Sequence, residues 1–274
     1  MQIITDSSCD IPQELIDKYK IKVVALNIEI DGKNYIDGVE ISHEEFYEKM
    51  AESEEIPKTS QPSPQNFIDA FKEGVNKCGE VLSIHLSSKL SGTQDCARIA
   101  KNIVTGDIEI FDSLSGSLGL GLQVLEAARL AREGLKIDNI VEKLKEFRDE
   151  LKVVVYLESL ENAVKSGRVT RTREVIANLL NLKPVVHVDG GYVKVLRTMR
   201  GKRRAINVLL TMMEEKNISY RDRIVGITHC DCLEDALKLK ERIIERFNPA
   251  EVLVSTMGPV IGTHAGLGGL LVCF

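Results

Sequence analysis

The segment SSKLSGTQ, Ser87 to Gln94, sets hydroxyls on both sides of Gly92 just before a helical pattern. Three chemistries suit such a segment. Ser91 could attack a substrate, the free N–H groups of the following helix could cradle an anion, or the hydroxyls could only cap the helix. A nucleophilic elbow needs G-x-S-x-G, but Leu90 precedes Ser91, so that motif is missing. His264 in GTHAG could still serve as a base, with no Asp evident to orient it. Hydrolysis or acyl transfer through Ser91 and His264 therefore stays open as the alternative reading.

Other chemistries find less support. The chain has no G-x-x-x-x-G-K-[ST] loop, and GSLGLG lacks the spacing of a dinucleotide fingerprint. THCDC places His229, Cys230, Asp231 and Cys232 together but has no second ligand pair, so no metal site is expected. His85 and His187 sit inside apolar runs and read as core histidines. TDSSCD lacks the D-x-D of aspartyl phosphatases, and its hydroxyls and Asp10 read as helix caps. What remains is anion recognition by hydroxyls, a helix N-terminus and one imidazole. A carboxylate suits those donors, because neutral groups and a helix dipole hold it without a buried ion pair.

The elements that position these residues alternate strand and helix. MQIITDSS, EVLSIHL and IEIFDS are strand-like, each followed by a helical segment, which implies a parallel sheet in a Rossmann-like N-terminal domain. The loops TDSS, SSKLSGT and DSLSGS should then gather at the carboxyl edge of that sheet, where such folds bind ligands. IKVVALNIEIDGKNYIDG reads as a hairpin arm, SHEEFYEKMAES as a helix with a capping box from Ser42 to Glu45, and KTSQPSPQNF as a turn-rich loop. KIDNIVEKLKEFRDELK is a long amphipathic helix that could link two halves. Beyond it VVVYLES, helices through ANLLNL, a KPVVHVDGGYVKVLRTMRG hairpin and later strand–helix pairs imply a second α/β domain with a mixed sheet. The final glycine-rich stretch, GPVIGTHAG, reads as a loop. The expected division is 1–149 and 150–274, the second part closing over the ligand site.

Composition bounds the rest. With 274 residues, 43% hydrophobic and 28% charged, the chain suits a globular protein of one large or two ordinary domains. No signal peptide or membrane span is evident, and six scattered cysteines without a C-x-x-C pair suggest a reduced, cytoplasmic setting. From Lys165 to Arg204 eleven Lys and Arg face only Glu174 and Asp189, on a chain of net charge −5. That stripe, including Arg168, Arg171, Arg200 and Arg203, suggests a docking surface rather than general nucleic-acid affinity.

With these segments in view, the chain resembles the DegV family of bacterial fatty-acid-binding proteins along almost its whole length. TDSSCDIP, IDGKNYIDGVEISHEEFYEKM, KTSQPSP, HLSSKLSGTQDCARIA, LESLENAVKSGRVTR, LLNLKPVVHVDGG and GTHAGLGG follow the family's order. Ser166 stands where the family usually has glycine. The resemblance implies a carboxylate grip by Thr59, Ser91 and His264, supported by Ser60, Gly92, Thr93 and Gly262. It implies a carrier, not an enzyme in itself. The carrier holds one long-chain fatty acid and presents it to a separate fatty acid kinase, whose acyl phosphate product feeds phospholipid synthesis. No cofactor is implied, and transient contact with a membrane surface is compatible with it. Apolar helices flanking SGT are expected to line the acyl tunnel.

Overall fold

In the main sheet of the first half the first, third and fourth strands in chain order are each followed by a helical connection, and the strands run parallel. In the computed structural model, which describes residues 1–169 and 182–274, these are β1 (Gln2–Asp6), β2 (Lys22–Val24), β6 (Glu80–His85) and β7 (Asp107–Asp112), in the order β2-β1-β6-β7. The helices α1 (Gln13–Tyr19), α3 (Pro64–Cys78), α4 (Thr93–Ile103) and α5 (Leu118–Arg132) accompany them. Apart from Glu80, β6 is wholly buried, as befits a central parallel strand covered on both faces. The three hydroxyl-rich loops do gather at one edge. The Ser87 N–H donates to the Ser115 carbonyl at 2.8 Å, and the Ser117 N–H to the Ser8 carbonyl at 2.8 Å. Asp10 does not cap α1, whose N-cap is Pro12. Asp6 is the capping residue here, accepting the Ser8 N–H at the 3-10 turn Ser7–Cys9.

The predicted hairpin is β3 (Asn27–Ile30) and β4 (Lys33–Ile36), turning at Asp31 and Gly32 with φ of 49° and 76°. Two left-handed residues in a two-residue loop match the right-handed twist of the strands they join. The stretch expected as a turn-rich loop contains a third strand, β5 (Lys58–Ser60), which pairs antiparallel with β3 and puts Thr59 opposite Ile28. Between them α2 (His43–Glu52) opens with the expected capping box: the Ser42 hydroxyl accepts the Glu45 N–H and Glu45 accepts the Ser42 N–H. Ser42→Ala should cost about 1 kcal/mol of stability, read from urea unfolding, with the ligand site unaffected.

The C-terminal part forms a mixed six-stranded sheet, β10-β9-β8-β13-β11-β12. Its strands are β8 (Val153–Tyr156), β9 (Lys183–Asp189), β10 (Tyr192–Met199), β11 (Ile224–His229), β12 (Glu251–Thr256) and β13 (Leu270–Cys273). Only β11 and β12 pair in parallel, joined by α9 (Leu233–Phe247); α8 (Lys202–Glu215) precedes β11. The linking helix α6 (Ile137–Glu150) and the short α7 (Glu161–Lys165) complete this half's approach, and the expected helices through ANLLNL lie outside the described residues.

Helix α5 is buried almost all round and packs on β1, β6 and β11, so the two sheets share one core. A Cβ on Gly121 would come within 2.5 Å of the Cys9 carbonyl, which explains the glycine there. The stretch expected as a loop before the last strand is instead a helix, α10 (Pro259–Ala265), with Pro at its first position.

Candidate functional site

A cavity of about 560 Å³ lies where the carboxyl edge of the parallel sheet meets the C-terminal half. Its apolar lining comes from Leu26, Leu86, Leu90, Val193, Val260 and Ile261. These belong to loops, β10 and α10, so the apolar faces of the helices flanking SGT do not supply it. Thr59, Ser91 and His264 line the same cavity together with Ser60 and Gly92. Residues some 170 positions apart are thus brought to one place.

Each polar group is set by its backbone. Thr59 is held by β5 pairing, and its Oγ1 lies 3.2 Å from His264 Nε2. Ser91 sits on a turn closed by its N–H to the Ser87 carbonyl at 3.2 Å, and its hydroxyl is 2.9 Å from that of Thr93. The turn is tied across the seam by the Ser87 hydroxyl, which donates to the Gly191 carbonyl at 2.8 Å. Thr93 is buried beneath Ser91 and does not line the cavity. Gly262 also does not line it; inside α10, a Cβ there would sit 2.4 Å from Tyr47 Oη. Its role is close packing.

Burial, reinforced by the nearby Arg168 guanidinium, pushes the His264 imidazole down to about 3, so the ring is neutral at physiological pH. Its Nδ1 is buried with no partner among the described residues. A buried lone pair without a partner is more tolerable than a buried N–H without one, which favours the tautomer with its proton on Nε2. Nε2–H can then donate to Thr59 Oγ1, leaving the Thr59 hydroxyl proton for a ligand. The unfolded chain takes up a proton near pH 6.5 that the folded ring refuses until about pH 3. His264 therefore contributes to a loss of stability as pH falls through that window. Imidazole NMR should show no His264 titration between pH 8 and about 5; a midpoint near the ordinary value of 6.5 would contradict the burial described.

The family model described as "Uncharacterised protein, DegV family" matches residues 1–274. The chain belongs to the DegV family. A DegV domain-containing protein of Caldanaerobacter subterraneus subsp. tengcongensis is 38% identical over 265 residues, covering 96% of this chain and 94% of the relative. The solved structure of a fatty-acid-binding DegV family protein from Thermus thermophilus superposes with a TM-score of 0.93 at 31% identity, covering 100% of this chain and 98% of that one. DegV from Bacillus subtilis, a fatty acid binding protein, gives 0.91 at 28% identity over 99% and 97% of the two chains.

Two polar residues line this DegV protein's cavity in addition to those expected there, Gln61 and Arg168. Gln61 lies in the quoted KTSQPSP segment, and its Oε1 would be 2.1 Å from a Cβ on Gly92, so that glycine makes room for it. Arg168 was assigned to the basic docking stripe, but it lines the cavity, half-buried, with Nη1 donating to the Ser166 carbonyl at 2.7 Å. The stripe itself is partly neutralised: Lys183 and Lys202 pair with Glu158, Lys194 with Asp189 and Arg197 with Glu215. Arg200 and Arg203 are exposed and make no ion pair among the described residues; Arg171 lies outside them. In the DegV site Ser91 and His264 are not hydrogen-bonded to each other. Ser91 bonds Thr93, His264 faces Thr59, and among the described residues no carboxylate partners the imidazole. Among the described residues no group of His, Cys, Asp and Glu is arranged to hold a metal ion, and no helix is long and apolar enough to cross a membrane.

Proposed function

We propose that the protein is a cytoplasmic carrier that binds one long-chain fatty acid in this cavity and presents its carboxyl group to a separate fatty acid kinase. The acyl phosphate so formed feeds phospholipid synthesis. The observation that carries the reading is the cavity's lining: an apolar wall that also presents the neutral polar groups of Thr59, Ser91 and His264. Thr59, Ser91 and His264 receive the carboxylate, and Arg168 adds positive charge beside them. Burying a C16 chain yields about 0.8 kcal/mol per CH₂, on the order of 10 kcal/mol before the costs of association. The tail supplies affinity, and the hydroxyl–imidazole end supplies direction. Two lobes, 1–149 and 150–274, enclose the acid in this reading. Ser60 and Gln61 are exposed at the polar end, which leaves the headgroup within reach of a partner.

The test is extraction of the purified protein. A free fatty acid near one equivalent, with no turnover of acyl esters, is expected. Lipid-free protein that also fails to bind added palmitate or oleate would overturn the reading; steady ester hydrolysis would favour the acyl hydrolase instead.

The same reading assigns Arg200 and Arg203 to docking of the kinase. Reversing both charges should slow association and flatten its dependence on salt while leaving fatty acid affinity unchanged. Unaltered kinase coupling in that double variant would remove the patch from the account.

A further inference from the structure

The polar groups of one peptide, between Met257 and Gly258, are both held by side chains from the N-terminal half. The buried Tyr47 hydroxyl donates to the Met257 carbonyl at 2.7 Å. The Gly258 N–H donates to Asp10 Oδ1 at 2.9 Å. Gly258 is the N-cap of α10, so this peptide is where the helix that ends in His264 is anchored. The fit is tight: a Cβ on Gly258 would stand 2.8 Å from Asp10 Oδ1. Asp10 Oδ2 lies 2.5 Å from Ser117 Oγ, which is 2.9 Å from Thr228 Oγ1 on β11. At its other end α10 is tied within its own half, where Asn162 donates to the Thr263 carbonyl at 2.9 Å.

We propose that Asp10 and Tyr47 are positioning residues that clamp the Met257–Gly258 peptide and thereby fix where His264 meets Thr59. The consequence for affinity rests on the carrier reading; the clamp itself does not. Both residues sit in the half that carries Thr59 and Ser91, so the half holding the hydroxyls also dictates the place of the imidazole. A rigid seven-residue helix transmits the constraint over about 9 Å. Both groups are buried, so neither bond competes with bulk water, and losing one leaves a backbone group unsatisfied. Burial pushes the Asp10 carboxyl up to about 8, so Asn reproduces its prevailing neutral form. An Asn can accept the Gly258 N–H through Oδ1 and donate to Ser117 through Nδ2.

Three variants test the clamp: Tyr47→Phe, Asp10→Ala and the conservative Asp10→Asn. In the ligand-free protein, Tyr47→Phe and Asp10→Ala should speed Gly258 amide exchange and shift the His264 ring signals in NMR. Melting should remain cooperative. Each should also weaken oleate binding about tenfold, the factor that 1.4 kcal/mol gives. Asp10→Asn should restore exchange, ring signals and affinity together. If Asp10→Ala unfolds, Tyr47→Phe decides. Folded Tyr47→Phe protein with unchanged Gly258 exchange and unchanged His264 signals overturns the proposal. Wild-type protein that does not bind oleate defeats the carrier reading, and the exchange and ring signals still judge the clamp.

Discussion

Replacing both Thr59 and Ser91 with alanine should weaken fatty acid binding by about 100-fold or more while the protein stays folded. Each hydroxyl is a neutral donor to a desolvated carboxylate, an interaction worth about 1.5–3 kcal/mol. Two such losses near the lower limit already exceed the ~2.8 kcal/mol of a hundredfold change. The fold should survive because backbone pairing fixes both residues, although the Ser91 hydroxyl also accepts the Thr93 N–H at 3.3 Å at the start of α4. Thr59 is kept by strand pairing with β3, and Ser91 by its N–H to the Ser87 carbonyl. The Thr93 hydroxyl beneath Ser91 would lose one partner, a modest effect that melting would report. Titration with oleate checks the expectation; an unchanged affinity in the folded double variant would remove the proposed grip.

Leu90→Trp should discriminate among acids by length. Leu90 is half-buried on the turn before Ser91 and contributes to the cavity's apolar wall. It lies outside helix and strand, so a bulkier side chain can swing into the cavity without breaking a backbone ladder. An indole there takes space from the tail and leaves the polar end intact. Denying burial to four methylenes forfeits about 3 kcal/mol, so palmitate should bind ~100-fold more weakly. Octanoate, whose tail is half as long, should be affected far less. Equal losses for both acids would mean that the substitution disturbs the headgroup end and that the tail does not run past Leu90.

What the sequence could disclose followed from periodicity and topology. The three hydroxyl-rich loops were legible as one cluster because parallel strands must end at a common edge, and β1, β6 and β7 do so. The hairpin at Asp31–Gly32 and the Ser42 capping box are local patterns that nothing distant overrides. Failures came where tertiary contacts decide. A three-residue strand such as β5 shows no alternation, so Thr59 looked like a loop residue until pairing with β3 placed it. Helix α10 is short and contains Gly262, which hides its period, although Pro259 at its first position was an available signal. Asp10 looked like a cap for α1 because it stands just before a helical pattern, yet its carboxyl group reaches Gly258, 248 positions on. Arg168 was grouped with its sequence neighbours by charge alone, and charge counts do not say which side chain turns inward.

The most direct test of the central claim is a crystal structure of the protein with oleate bound. One acid should lie in the cavity beside Leu86, Leu90 and Val260, with carboxylate oxygens within hydrogen-bond distance of Thr59 Oγ1, Ser91 Oγ and His264 Nε2. A headgroup placed away from all three, or an acid bound outside this cavity, would contradict that claim.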